Sequence, residues 1–401
     1  MKTYQVYRWI MPPLVKAIDS LHWAVSRWVL DAATALFTTK HRPFPRTVYV
    51  LRNCFFGDFI VAIPALRRLR TAFPKAEIVF VTAASFAAGW RDQPQTDDVF
   101  NIEPGLIDRI IRYTPKDLTR SSSRAALRAR FLSRAEAITL VLCNPSESLR
   151  SRLKRIVLAK ALGLPFPLGL TGTPTLPAPH WLNRWRMNRV DVEHTTTAAL
   201  RCVDEALVSL GLDPRLVEVA TNQYSKHTGP TGRKLIGIAP FTKQPVKQWP
   251  LERFNATMRQ LASDFDATFE IYGAPEEREQ AKKLDRLLNG AVEARSLCGD
   301  LTPLELRNRI ESLDLLVCLD SGPAHVASLV GTPVVAVFPQ ITLHNFWRPW
   351  GPGGVLVSTA VPCAACDTRS GQCPLGTKAC IDGVSVEMVL HHARQTLNYP
   401  H

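Results

Sequence analysis

Short, nearly continuous apolar runs alternate with amphipathic helical segments along most of this chain. Residues 47–52 and 315–319 consist almost entirely of β-branched and other apolar side chains, the pattern of a strand buried on both faces. Residues 59–73 instead repeat apolar side chains at helical spacing, with Arg67, Arg68 and Arg70 on the other face. This alternation predicts an α/β fold, in which helices cover a parallel sheet.

The alternation stops and then restarts near the middle of the chain. We predict strands at 47–52, 77–82, 98–102 and 137–142, and again at 234–239, 267–272, 315–319 and 334–338. The predicted helices are 59–73, 193–210, 251–261, 276–288, 303–313 and 385–397. Between the two series lies Gly229-Pro-Thr-Gly232, and 401 residues exceed the usual size of one core. We therefore predict an N-terminal extension of residues 1–45, a first domain of 46–228 and a second of 229–401.

The chain is strongly basic, with a formal net charge of +14. That surplus favours anionic partners such as a membrane surface, phosphorylated small molecules or glycolipids. No nucleic-acid-binding motif accompanies it, so no nucleic-acid partner is predicted. Charges interrupt the apolar residues of 4–37, and we therefore expect neither a membrane span nor a signal peptide. An amphipathic helix on a membrane surface and a helix packed on the first domain both fit this segment.

The nine cysteines fall into two groups. Five are scattered beside apolar runs, which predicts buried free thiols and a cytoplasmic location: Cys54, Cys143, Cys202, Cys298 and Cys318. The other four, Cys363, Cys366, Cys373 and Cys380, have the spacing C-x2-C-x6-C-x6-C. A zinc site, a disulfide pair and reduced thiols all fit this loop.

The strongest local signal is the apolar run 315–319 followed by Asp320-Ser-Gly-Pro-Ala-His325. A helix that begins after such a strand presents backbone N–H groups and a positive dipole end, which together bind anions. Ser321 and Gly322 permit close approach of phosphate oxygens, and Asp320 can accept hydrogen bonds from sugar hydroxyls. His325, about one turn inside the helix, has either a structural role or one at the phosphate.

Three other strand-to-helix turns carry candidate groups, each with a plainer alternative. Asp58, after Gly57, is either a helix cap or a carboxylate that takes a proton from an acceptor hydroxyl. Thr242 and Lys247 follow strand 234–239 and suit a diphosphate, although a basic surface loop is the alternative. Glu277, or its neighbour Glu276, either binds ribose hydroxyls or favours the first turn of a helix.

These turns, in this order, resemble the motifs of glycosyltransferase family 9, which contains the ADP-heptose:lipopolysaccharide heptosyltransferases. The resemblance covers residues 47–392. Its motifs are Arg52-Asn-Cys-Phe-Phe-Gly-Asp58, Lys247-Gln-Trp-Pro250, Gly273-Ala-Pro-Glu-Glu277 and Asp320-Ser-Gly-Pro-Ala-His325 with Gly331-Thr-Pro-Val-Val335. It implies a GT-B fold, that is, two Rossmann-like parallel-sheet domains facing each other across a cleft.

The resemblance also implies an activity, the inverting and metal-independent transfer of a sugar from a nucleotide-diphosphate donor. The donor expected from the family is ADP-heptose, and the expected acceptor is a lipopolysaccharide core or a related anionic glycolipid. We expect the protein in the cytoplasm, acting at the inner face of the cytoplasmic membrane. The implied roles are general base for Asp58, phosphate binding for Lys247, ribose binding for Glu277 and donor-sugar contact for Asp320, with Ser321, Gly322 and His325 in the phosphate turn. The chain departs from the family at residues 239–242, where a His-Pro-Gly-type segment is common.

Three arginines, one pair of aspartates and the function itself each have more than one interpretation. Arg120, Arg124 and Arg128 repeat at helical spacing and form either a solvated face or a basic acceptor-side wall. Asp264-Phe-Asp266 resembles a metal-binding pair, but its place before a strand predicts a surface position. A GT-B epimerase or hydrolase that acts on a nucleotide sugar without an acceptor, and a non-catalytic sugar-nucleotide-binding protein, are the alternative functions.

Overall fold

The computed structural model describes residues 44–84, 101–131, 136–143, 149–165, 167–170, 193–217, 232–341, 344–351, 353–363, 366 and 372–398, together with Val25 and Val29. Almost all of the predicted extension 1–45 lies outside these residues, and so does the predicted domain boundary at 228/229. None of the helices in the described ranges is long and apolar enough to cross a membrane.

The first domain is built on a five-stranded parallel sheet in the order β3-β2-β1-β4-β5. Its elements are β1 (Thr47–Leu51), α1 (Phe56–Ile60), α2 (Ile63–Ala72), β2 (Glu77–Ala83), β3 (Arg109–Tyr113), α3 (Pro115–Thr119), α4 (Ser121–Arg128), β4 (Ala137–Val141), α5 (Leu149–Leu162), β5 (Pro167–Leu168) and α6 (Thr195–Ser209). All five residues of β1 are buried, because the strand pairs with β2 on one side and β4 on the other.

Two predictions for the first domain are wrong. The third strand is β3 rather than 98–102: residues 101 and 102 lie in a turn, and 98–100 lie outside the described residues. β3 was missed because it pairs only with β2 and carries two arginines, so it lacks the apolar run of a buried strand. The predicted helix 59–73 is two helices, α1 and α2, and Pro64 lies in the first turn of α2, where its missing N–H costs nothing.

The second domain is built on a six-stranded parallel sheet in the order β11-β10-β9-β6-β7-β8. Its elements are β6 (Lys234–Ala239), α7 (Leu251–Asp264), β7 (Ala267–Ile271), α8 (Arg278–Leu288), β8 (Ala294–Ser296), α9 (Pro303–Glu311), β9 (Leu315–Leu319), α10 (Gly322–Val330), β10 (Val334–Val337), α11 (His344–Trp347), β11 (Gly354–Val357), α12 (Ala379–Asp382) and α13 (Val386–Asn398). Short 3-10 turns cover Pro245–Lys247 and Pro275–Glu277.

Helix α6 joins the two domains. It packs against α2 of the first domain, and its N-terminal cap contacts the second. The Nε2 atom of His194 lies 2.8 Å from the carbonyl oxygen of Arg348, and the hydroxyl of Thr195 donates to the carbonyl oxygen of Phe346 over 2.8 Å. The backbone N–H of Thr196 donates to Nδ1 of His194, so the imidazole caps the helix through one nitrogen and bridges the domains through the other.

Candidate functional site

The candidate site is a pocket of about 340 Å³ between the carboxyl edges of the two sheets. In both sheets the strand order reverses there, between β1 and β4 in one and between β6 and β9 in the other. Ligands of open α/β sheets bind outside the strands at such a switch point. The first domain contributes Phe55, Phe56 and Gly57 to the wall, and the second contributes the loops after β6, β7 and β9.

The phosphate turn occupies one side of this pocket. Asp320, Ser321 and Gly322 line it, at the point where β9 ends and α10 begins. Asp320 is only 7% exposed, and its Oδ2 atom lies 2.7 Å from the Nζ atom of Lys247, which is 18% exposed. The predicted donor residues Lys247 and Asp320 therefore form a largely buried ion pair beside a helix N-terminus.

Two glycines allow the first domain to touch the phosphate turn. A Cβ atom on Gly322 would lie 2.7 Å from Cδ1 of Phe56, and one on Gly57 would lie 3.1 Å from Cδ2 of His325. The first distance is too short for any side chain there, and the second would press on a buried ring. Glycine at these positions therefore lets α1 pack directly against α10.

The predicted ribose-binding acid also lines the pocket. Glu277 has one carboxylate oxygen 2.7 Å from the backbone N–H of Ala274, which donates to it. Burial raises the pKa of the Glu277 carboxyl. Its neighbour Glu276 instead pairs with Lys243 at 3.0 Å, and both of those side chains are well exposed. Of the two acids, only Glu277 is part of the wall.

The loop after β6 folds back along the pocket. Its Thr242 lines the wall, and the Thr242 hydroxyl accepts a hydrogen bond from the backbone N–H of Gln244 at 3.3 Å. The side chain of Gln248 donates to the carbonyl oxygen of Pro240 at 2.8 Å, a hydrogen bond between the two ends of the loop. The next residue, Trp249, is fully buried. The segment that departs from the family pattern is therefore still part of the pocket.

Part of the pocket lining is an apolar slot, which the sequence did not predict. Its lining side chains are Phe241, Tyr272, Leu297, Leu301 and Leu306. The Tyr272 hydroxyl donates to Glu270 at 2.6 Å, and Arg309 donates to the other oxygen of Glu270 at 3.2 Å. Phe241, Tyr272 and Leu297 follow strand ends, which is the one signal that could have identified them, whereas Leu306 lies in α9. Individually, all of these side chains resemble core residues. An apolar slot of this kind suits a planar nucleobase.

Asp58 lies next to the lining residue Gly57, at the third position of α1. Its Oδ2 atom accepts a hydrogen bond from the backbone N–H of Phe55 at 3.1 Å. The plainer alternative for Asp58, a carboxylate that satisfies a helix N-terminus, is therefore present in the structure. The Asp58 side chain is half-buried, and its neighbour Gly57 lines the pocket. The role of this carboxylate as a proton acceptor stays a prediction.

His325 lies behind the phosphate turn rather than in the wall. Burial lowers the pKa of its imidazole to about 4, with Lys247 acting in the same direction and Asp320 opposing. The ring packs edge-on against Trp347 and against the backbone of Gly57. His325 is therefore neutral at physiological pH and supports the contact between the domains.

The three acceptor-side arginines lie on and beside α4. Arg128 donates to the carbonyl oxygens of Ala161 and Lys160 at the end of α5, so its guanidinium stabilises a helix C-terminus. Arg120 precedes α4 and is exposed, and Arg124 is half-buried. The binding of an acceptor by this group stays a prediction.

The four clustered cysteines lie beside the strand ends of the second domain. Burial raises the pKa of Cys366 to about 11, with smaller contributions in the same direction from the thiols of Cys380, Cys373 and Cys363. Within the described ranges, no three His, Cys, Asp or Glu side chains converge in a geometry that could hold a metal. The five scattered cysteines are buried thiols, as predicted, and none of them forms a disulfide with another described cysteine.

Asp264 and Asp266 lie at the opposite edge of the second sheet, where α7 ends and β7 is about to begin. Both are exposed, and Asp264 accepts a hydrogen bond from Arg394 at 2.8 Å. The predicted surface position of this pair is confirmed.

Two parallel-sheet α/β domains that face each other across a pocket at their strand carboxyl ends define the GT-B fold. The sequence profile of Glycosyltransferase family 9 (heptosyltransferase) matches residues 177–377, half of the chain. This chain belongs to that family.

Curated relatives match parts of the chain. Lipopolysaccharide heptosyltransferase 3 of Escherichia coli is 29% identical over 158 residues, 36% of this chain and 45% of that protein. Lipooligosaccharide heptosyltransferase 2 of Campylobacter jejuni is 26% identical over 174 residues, 42% of this chain and 53% of that protein. The matched segments thus span about half the length of these relatives.

Solved structures share the fold over most of the chain. A family 9 glycosyltransferase from Veillonella parvula superposes with a TM-score of 0.60 at 19% identity, covering 90% of this chain and 98% of that one. The E. coli ADP-heptose lipopolysaccharide heptosyltransferase II superposes with a TM-score of 0.53 at 18% identity, covering 88% and 98%. Both comparisons confirm the predicted GT-B fold.

Proposed function

We propose that this protein transfers a heptose from ADP-heptose to the core of a lipopolysaccharide, with inversion at the anomeric carbon. The observation that carries the proposal is the Lys247–Asp320 pair beside the N-terminus of α10, the helix against which the Asp58-bearing helix α1 packs. Family membership and the names of the matched heptosyltransferases support the choice of sugar and acceptor.

In the proposed reaction, an acceptor hydroxyl attacks the anomeric carbon from the side opposite the diphosphate. The new glycosidic C–O bond forms while the bond from the anomeric carbon to the diphosphate oxygen breaks, which inverts the configuration. Asp58 takes the hydroxyl proton. ADP leaves with the negative charge, which Lys247 and the backbone N–H groups after Asp320 stabilise. Glu277 holds the ribose hydroxyls, Thr242 contacts the diphosphate, and the apolar slot holds the adenine.

This scheme places no metal ion at the diphosphate, because a lysine and a helix N-terminus supply the positive charge there. We expect a chelator such as EDTA to leave the transfer rate unchanged. A structural zinc at the four clustered cysteines stays a separate prediction, and elemental analysis of the purified protein decides it.

The test of the proposed function follows the fate of the donor. Labelled ADP-heptose is incubated with the protein, with and without lipopolysaccharide truncated in its inner core. We expect labelled heptose in the lipopolysaccharide and no donor loss without it. Equal loss of donor in both samples would instead support an epimerase or hydrolase, and donor that binds without turnover would support a binding protein.

We further propose that the protein works at the inner face of the cytoplasmic membrane. Its acceptor would be a lipid, and its net charge of +14 favours an anionic surface. The exposed Arg120 and half-buried Arg124 are the candidate acceptor-side contacts. We expect the protein to cosediment with phosphatidylglycerol vesicles but not with phosphatidylcholine vesicles. Equal binding to both would contradict the proposal that positive charge attracts the protein to an anionic membrane.

A further inference from the structure

Phe55 is a large apolar side chain that the fold leaves in solvent at the mouth of the pocket. Its side chain is 61% exposed, and it lines the wall. Single exposed apolar residues are ordinary on a protein surface. The other large apolar side chains that are exposed in the described ranges lie outside this wall: Val25, Phe44, Val157, Val208, Leu216 and Leu375. Phe55 therefore differs from them in facing the space that a ligand would fill.

The backbone around Phe55 has contacts with both sides of the candidate site. Its backbone N–H donates to Oδ2 of Asp58 at 3.1 Å. The next residue, Phe56, lies with its ring against Gly322, and Gly57 lies against the ring of His325. The backbone that carries Phe55 is thus bonded to the proposed base, and its next two residues contact the phosphate turn and its helix.

An aromatic ring in this place has a specific use for a sugar. Its face carries partial negative charge, and the C–H face of a sugar ring carries partial positive charge, so the two stack favourably. Asp320, which lines the same pocket from the second domain, supplies a hydrogen-bonding group. We infer that Phe55 is a platform on which the sugar ring of the donor stacks. This inference rests on the proposed function, since it requires a nucleotide sugar in the pocket.

If Phe55 stacks on the sugar, replacing it should weaken binding of the sugar-bearing donor but not binding of the bare nucleotide. Replacing Phe55 by alanine or leucine removes the ring but leaves the phosphate turn and the apolar slot intact. We expect Phe55→Ala and Phe55→Leu to weaken ADP-heptose binding by roughly fivefold to tenfold, with ADP binding unchanged. Phe55→Tyr keeps the ring face and should bind ADP-heptose as the wild type does. Phe44→Ala, a phenylalanine 73% exposed outside the pocket, is the matched control.

The experiment measures calorimetric dissociation constants of ADP and ADP-heptose for these four variants and the wild type. Because Phe55 is exposed, its variants should fold, and unfolding temperatures verify this. Equal weakening of ADP and ADP-heptose, or no weakening of either, overturns the platform. A wild type that binds ADP-heptose no more tightly than ADP overturns the platform alone, whereas a wild type that neither binds ADP-heptose nor transfers heptose overturns the proposed function as well. A wild type that transfers heptose while Phe55→Ala binds normally overturns the platform alone.

Discussion

At the scale of single residues, the Lys247–Asp320 pair is the central feature of the site. Taking two charges out of water costs free energy, and their attraction offsets this cost only when both partners are present. The pair is 2.7 Å apart with both side chains largely buried. A diphosphate placed at the start of α10 would add a second anion beside Lys247, so the lysine is positioned to serve the carboxylate and the donor together.

We predict that Lys247→Ala weakens ADP binding and also destabilises the fold, by about 3 kcal/mol, because it leaves the Asp320 carboxylate buried without its partner. Lys243→Ala is the control for stability, since Lys243 pairs with Glu276 at an exposed site and should cost less than about 1 kcal/mol. Urea unfolding and calorimetry with ADP provide the two readouts. An unchanged unfolding free energy for Lys247→Ala would show that the ion pair does not stabilise the fold.

The sequence predicted the polar residues of this pocket better than the apolar ones. Lys247 and Asp320 could be assigned to one edge because parallel strands bring their carboxyl ends together. Their direct contact could not be predicted, since it depends on how the loop after β6 folds. Phe241 and Tyr272 went unassigned because an aromatic residue after a strand has the same pattern whether it lines a pocket or fills a core.

At the scale of elements, the contact between α1 and α10 determines how closely the two domains approach. Phe56 reaches the N-terminus of α10 only because Gly322 has no side chain. Gly322, the first residue of the helix whose N-terminus would bind phosphate, therefore lies against a ring from the other domain, so a change at this contact should affect both stability and ligand binding.

We predict that Gly322→Ala destabilises the protein by roughly 1 to 3 kcal/mol through overpacking, because the new Cβ atom would lie 2.7 Å from Phe56. The cost should shrink in a Phe56→Ala background, where the ring is absent. Gly353→Ala is the control, since its Cβ atom would have ordinary contacts at 3.5 Å or more. Additive effects of Gly322→Ala and Phe56→Ala in a double-mutant cycle would contradict the proposed contact.

Elements with strong local signals were predicted well, whereas weak or edge elements were not. β6 and β9 agree with the predicted bounds because both are nearly continuous apolar runs, as is typical of central strands in a parallel sheet; only Lys234, at the start of β6, is charged. β3, β8 and β11 were missed; β8 and β11 are edge strands that pair on one side only, as β3 is. An edge strand is stabilised by its single partner, so its own sequence need not be continuously apolar.

At the scale of the whole molecule, two buried histidines hold the domains together. His194 bridges α6 to Arg348, and His325 packs between the phosphate turn and Gly57. Burial lowers the pKa of each imidazole from 6.5 to about 4. The unfolded chain therefore binds protons that the folded chain excludes over this pH range.

We predict that stability falls as the pH drops from about 6.5 to about 4, with each histidine contributing on the order of 3 kcal/mol. The sign follows from the lowered pKa, because stability is fully present above the unfolded value and is lost below it. His194→Asn, which keeps a capping side chain, should flatten the profile, whereas the exposed His391→Gln should not. Thermal unfolding measured over this pH range tests the predicted loss of stability. Identical pH profiles for the wild type and His194→Asn would contradict the role of His194 in it.

The most direct test of the whole account compares Asp58→Asn with the wild type in heptose transfer from ADP-heptose. Asparagine keeps the shape and an oxygen that can still accept the Phe55 N–H, but it cannot take a proton. We expect the transfer rate to fall by roughly 100- to 10 000-fold, with ADP binding and unfolding temperature unchanged. If the variant kept most of the wild-type transfer rate, Asp58 would not be the base, and the proposed mechanism would be wrong at its central step.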